Sequence, residues 1–267
     1  MADMAVVVRI RDVIEALGGA VGADQLRFGN PEEIVTGIAV TFTASQQVLE
    51  EAKRRGLNLI ISHEGLFYSH HHQSLEKLKE MDDPVYRVKL QTIADYRLAV
   101  YCYHDGLHRQ NVDGIMDGLL AQLGWGGYVL EHEPAASIVE LPPCTVGELA
   151  DELKRKLGIG MVRASGDLSM TCRRVGVLVG FRGGGDVAIP LFKRYRLDAL
   201  IYGEGQEWET PEYVRDACYG GITRSLLVLG HLESEQPGMK LLAGRLGCRF
   251  PSVPVHYMAV DPLFTVL

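Results

Sequence analysis

Three clusters of histidine and carboxylate stand directly after apolar runs. His63-Glu64 follows Leu57-Asn58-Leu59-Ile60-Ile61-Ser62. His104, Asp105 and His108 follow the run at 98–103, and His231, Glu233 and Glu235 follow the run at 225–230. Imidazole nitrogens and carboxylate oxygens are the donors that hold borderline divalent cations. Ligand sites in open α/β sheets form where strands end at their carboxyl side. Three strand ends carrying the same donor types are therefore read as one metal site. His231 and Glu235 are spaced i, i+4. A helix that starts at or before His231 puts both on one side; one that starts at Ser234 leaves them to converge across a turn.

The elements around these clusters alternate. Strands are expected at 34–42, 57–61, 98–103, 136–141, 175–179, 197–202, 224–229 and 253–256. They are short and rich in β-branched residues, with turn signals at their ends. Helices are expected at 4–17, 43–55, 84–96, 111–123, from Thr145 to near Gly158, at 187–195, from Thr210 to Tyr219 and from Ser234 to Leu246. Pro84 suits a first turn, Thr145 with Glu148 forms a capping-box signature, and Pro190 counts against its helix. Residues 22–33 read as polar and turn-rich. Residues 67–83 read as irregular or partly helical, with His70-His71-His72 as a solvated patch.

The halves repeat. Gly37-Ile38-Ala39-Val40-Thr41-Phe42 aligns with Gly176-Val177-Leu178-Val179-Gly180-Phe181 at an offset of 139 (37 to 176). The stretch from Leu57 aligns with that from Leu197 at an offset of 140 (57 to 197). The expected architecture is α/β: two similar lobes, 1–135 and 136–267, with strand carboxyl ends converging on a shared metal cleft and no large inserted domain.

The net charge of −7 argues against a general nucleic-acid or anionic-membrane binder. A metal centre would still give a local site for a small anion. No apolar run is long enough to span a bilayer, and the amino-terminal stretch shows neither a basic leader nor a cleavage site. The cytoplasm is the expected location. Cys102, Cys144, Cys172, Cys218 and Cys248 are far apart and form no CxxC pair. They are expected to be reduced, mostly buried thiols, with Cys102 the one to watch for oxidation. Gly183-Gly184-Gly185 matches neither a P-loop nor GxGxxG and reads as a plain loop, with a backbone phosphate cradle as the alternative.

These residues resemble the Nif-three-like (NGG-interacting factor three) family of dinuclear metal-centre proteins. Gly230-His231-Leu232-Glu233-Ser234-Glu235, continued by Pro237-Gly238, matches the family's G-H-x-x-S-E element. The strand before His63 matches the context of the family's His-His pair, His104 and His108 have its H-x-x-x-D spacing, and Gly203-Glu204 resembles its Gly-acid step. Glu64 stands where the family has a second His, and His108 where it has Asp. The exchange keeps three imidazoles and two carboxylates.

By position, the resemblance implies that His63 and His108 hold one metal, Glu64 and His231 the other, and Glu235 bridges them. His104 and Asp105 would stand behind the ligands, and Glu204, Asp105 or His104 would be the catalytic acid or base. The implied cofactors are two divalent ions, among Zn, Fe, Mn, Co and Ni. The implied activity is hydrolysis, through a metal-bridging hydroxide, of a small phosphorylated or cyclic-amide substrate; family members carry the name GTP cyclohydrolase type 2 homologue. A non-catalytic metal-binding scaffold or regulatory interaction protein is the alternative. The resemblance also implies a ring-shaped homohexamer built from dimers.

Overall fold

The computed structural model describes residues 7–69 and 72–265. His70 and His71, and the start of the helix expected at 4–17, lie outside the described residues. In chain order the elements are α1 (Ile10–Ala16), β1 (Gln25–Phe28), β2 (Ile38–Thr41), α2 (Gln46–Arg54), β3 (Leu59–Ser62), α3 (His72–Glu80), α4 (Pro84–Tyr96), β4 (Ala99–Cys102), α5 (Asp105–His108) and α6 (Gly114–Leu123). They continue as β5 (Val129–His132), β6 (Ser137–Thr145), α7 (Val146–Leu157), β7 (Arg163–Gly166), β8 (Thr171–Val177), α8 (Gly185–Tyr195), β9 (Ala199–Tyr202), α9 (Thr210–Tyr219), β10 (Ser225–Val228), α10 (His231–Arg249) and β11 (Val255–Met258).

The chain divides into two compact units, Met1–Asn111 with Met239–Leu267, and Val112–Gly238. This division differs from 1–135 and 136–267. One reason is β11, which pairs in parallel with β2 and so belongs to the first unit's sheet.

In the first unit the sheet order is β1-β4-β3-β2-β11. Strands β2, β3 and β4 run parallel and are buried at every position. Burial on both faces explains why they read as continuous apolar runs. Helix α2 starts where Ser45 Oγ accepts from the Val48 amide at 3.2 Å. Helix α4 starts at Pro84 behind Asp83, which accepts from the Tyr86 amide at 2.9 Å. Such caps satisfy amides that the helix itself leaves open. Leu49, Ala52, Ile60, Ile93 and Val100 form part of the core between sheet and helices.

In the second unit the order is β5-β6-β8-β9-β10-β7. Strands β8, β9 and β10 are parallel, repeating β2, β3 and β4, so the two lobes are similar. Each triplet carries an antiparallel strand beside its last member: β1 on β4 and β7 on β10. The capping box at Thr145 and Glu148 forms with both reciprocal bonds, and α8 accommodates Pro190. The core includes Leu178, Phe192, Leu200 and Leu226.

Three strands go beyond the sequence reading. β1 lies in the stretch read as turns, and β5 and β7 were not expected. All three are antiparallel edges with mostly half-exposed or exposed side chains, so they lack the apolar run that marks a buried strand. Helix α10 starts at His231, three residues before Ser234, despite Pro237. The Ser234 amide already donates to the Gly230 carbonyl at 3.1 Å, which closes a first turn ahead of the proline.

Candidate metal centre

In the first unit, β3 delivers His63 and β4 delivers His104. His63 is fully buried, and its Nδ1 lies 3.2 Å from the Tyr103 carbonyl oxygen. A carbonyl only accepts, so Nδ1 carries the proton and Nε2 keeps its lone pair for a metal. The His104 ring stacks on His63 at 4.5 Å between centroids, 22° from parallel. His108, one turn along α5, stands edge-on to both rings at 5.0 and 4.8 Å. One nitrogen from each of His63, His104 and His108 lies within 4.8 Å of the others. Glu64 Oε1 is 4.0 Å from His104 Nε2.

Asp105 binds the far nitrogen of His104, Oδ1 to Nδ1 at 3.0 Å, and accepts from the Ala23 amide at 3.2 Å. That histidine bond is the main cause that holds the Asp105 carboxyl below its usual range. Burial holds His104 below the ordinary imidazole pKa, and the His63 ring beside it adds to the effect. Both factors favour a neutral ring with a lone pair available to a cation.

Asp24 makes this geometry possible. Its side chain is buried and accepts three backbone amides, from His104 at 2.7 Å, Asp105 at 2.9 Å and Gly106 at 2.8 Å. The carboxylate thereby caps α5 and fixes the turn that presents both His104 and His108. Sequence reasoning missed it, because a single Asp in a polar stretch carries no pattern linking it to a turn eighty residues on. Gly22 is the complementary signal: it sits at φ +60°, and a Cβ there would fall 1.8 Å from Asp105 Oδ2.

In the second unit, His231 opens α10 with a carboxylate at each ring nitrogen. Nδ1 lies 3.2 Å from Glu204 Oε1, and Nε2 lies 3.3 Å from Glu235 Oε2. Glu204 is positioned by its own amide, which donates to the Gly180 carbonyl at 2.9 Å. The Gly180 amide donates to Ser234 Oγ at 2.9 Å, and that hydroxyl donates to the His231 carbonyl at 2.8 Å. A Cβ at Gly180 would lie 2.1 Å from Glu235 Oε1 and 3.1 Å from His231 Nε2. Absence of a side chain there leaves room for the imidazole–carboxylate pair. Glu233 folds over Gly230 instead, where a Cβ would meet its Oε2 at 2.0 Å.

Of the glycine triplet, Gly183 lies in a loop, Gly184 caps α8 and Gly185 opens it. The Gly183 amide donates to the Glu204 carbonyl at 3.0 Å, and the Gly185 amide donates to Glu209 Oε2 at 2.6 Å. Glu209 thus occupies the helix start that a phosphate would need.

A family model described as Duf34/NIF3 (NGG1p interacting factor 3) matches residues 20–262. The chain belongs to the Duf34/NIF3 family. The resemblance read from the His231 element therefore holds over most of the chain. A GTP cyclohydrolase 1 type 2 homolog from Escherichia coli is 28% identical over 213 residues, covering 79% of this chain and 78% of its own. The protein of that name from Clostridium perfringens is 25% identical over 220 residues, covering 79% and 78%. Among solved structures, the protein ybgI, described as of unknown function, superposes with a TM-score of 0.72 at 23% identity, covering 96% of this chain and 99% of its own. That likeness shows a shared fold.

The donors suit a metal. Three converged imidazoles, one with its tautomer fixed by a carbonyl, and an imidazole–carboxylate pair flanked by Glu204 are donor types that could hold first-row divalent ions. Among the described residues, no helix is long and apolar enough to cross a membrane.

Proposed function

We propose that this chain is a metal-dependent hydrolase with a dinuclear centre. Its ions would be held by His63, Glu64, His108, His231 and Glu235. The observation that carries the reading is the convergence of His63, His104 and His108 at two strand ends. Three imidazoles packed this closely would repel one another if protonated, so neutral rings are favoured, and neutral rings have lone pairs to offer a shared cation. His104 is near enough to be a ligand itself, so it competes with His108 for that role.

Bound divalent ions would supply Lewis acidity and bring the pKa of water towards ~7. The chain's own part is orientation and proton handling. The Tyr103 carbonyl holds the His63 tautomer, and Asp105 holds His104. Glu204 lies against His231 Nδ1 and is 42% exposed, which suits exchange of a proton with solvent. Zn, Fe, Mn, Co and Ni all suit this donor mix. A small anion or cyclic amide is the substrate class, and the cyclohydrolase name of the relatives agrees with it. The homohexameric ring and the cytoplasmic location belong to the same proposal.

The test is a hydrolysis screen of phosphomonoesters, phosphodiesters and cyclic amides with protein loaded separately with each metal. Turnover is expected in the wild type and should be lost in His63→Ala and His231→Ala. Two bound ions with no turnover on any class would contradict catalysis and favour the metal-binding scaffold.

A further inference from the structure

Strands β6 and β8 pair antiparallel, and the register sets Cys144 directly opposite Cys172, next to Thr145 opposite Thr171. Directly opposed residues in such a pair have Cα atoms about 4.5–5.5 Å apart, within the roughly 4.4–6.8 Å span that a disulfide bridges. Each thiol perturbs the ionisation of the other, as adjacent side chains do. Cys172 is buried, whereas Cys144 is partly exposed. One sulfur can therefore meet a small reagent, and the other meets it only through its neighbour.

We propose that Cys144 and Cys172 form a reversible thiol–disulfide site, with low-molecular-weight disulfides as the reactant class. The Cys144 thiolate attacks one sulfur of the reagent disulfide, giving a mixed disulfide and releasing one small thiolate. Cys172 then loses its proton, and its sulfur attacks Cys144 Sγ, expelling the second. The protein's two thiols are oxidised by two electrons, the reagent is reduced to two thiols, and these take up the two cysteine protons. The bond closes a loop holding α7 and β7, and it fastens β6 just past the register irregularity between Glu140 and Cys144.

The environment sets the rate. Burial pushes the Cys172 thiol up to about 12. Burial also raises Cys144, with Glu152 and Glu148 adding to the effect. Thiolate is scarce at neutral pH, so exchange is slow and accelerates roughly tenfold per pH unit below the thiol pKa.

The experiment treats the full-length protein with oxidised glutathione at alkaline pH, blocks remaining thiols with iodoacetamide and maps the digest by mass spectrometry. The expected product is a Cys144–Cys172 cross-linked peptide, cleaved by dithiothreitol, with a rise in Tm of about 5–10 °C. In Cys172→Ser, glutathione should remain attached at Cys144. In Cys144→Ser, Cys172 should stay unmodified. Wild-type protein that stops at glutathionylated Cys144, or that yields no Cys144–Cys172 peptide, would overturn the proposal.

Discussion

His231 Nε2 lies 3.3 Å from Glu235 Oε2, one helical turn further along α10. The pair exists because the helix begins at His231 itself. Side chains at i and i+4 share a face, and the loop before the helix would not hold two donors in register. Gly180 keeps the space beside them open.

That relationship makes Gly180→Ala a specific test. The added methyl meets Glu235 Oε1 at 2.1 Å, and the backbone is at φ +56°. Gly56→Ala is the control, since Gly56 has φ +72° and a Cβ there meets nothing within 4 Å. Both should cost about 1 kcal/mol in backbone strain. Gly180→Ala should lose a further ~1–3 kcal/mol in chemical denaturation from overpacking and should also retain less metal. Equal behaviour of the two variants would show that Gly180 does not serve the pair.

Asp24→Ala removes an acceptor shared by three amides at the start of α5. Loss of a buried charged acceptor is expected to lower stability by about 2–4 kcal/mol in urea unfolding. Metal retention should fall with it, because His104 and His108 lose the turn that presents them. A variant with unchanged unfolding midpoint would remove Asp24 from this role.

Lys89 gives the pH prediction. It is buried, its Nζ donates to the Leu66 carbonyl at 2.6 Å, and burial lowers its pKa to about 8 from 10.5. Between these values the unfolded chain binds more protons than the folded one, so raising the pH favours folding. The Lys89 contribution should therefore grow from about pH 8 to 10.5 and be lost again as pH falls through that window. The stability difference between wild type and Lys89→Met should shift by ~3 kcal/mol across it. A difference that stays flat with pH would contradict the depressed pKa.

Much of the fold was legible because the parallel strands are buried on both faces. Leu59–Ser62 and Ser225–Val228 read as short apolar runs, and the donors after them were found for the same reason. Edge strands such as Arg163–Gly166 were not legible, since half-exposed antiparallel positions accept polar residues. The i, i+4 spacing of His231 and Glu235 was visible, but Pro237 pointed to a later helix start. Asp24 and the Cys144–Cys172 pair were hidden for another reason: each depends on long-range placement that no local spacing records. Lys89 was silent too, as a lysine in an amphipathic helix ordinarily faces water.

Elemental analysis of purified, untagged protein tests the central claim most directly. The metal-to-chain ratio would be measured for the wild type and for the His231→Ala/Glu235→Ala double variant, each folded by circular dichroism. Two divalent ions per chain in the wild type, falling to near none in the variant, is the predicted result. A wild type that holds no metal, even after reconstitution with Zn, Fe, Mn, Co and Ni, would contradict the dinuclear centre.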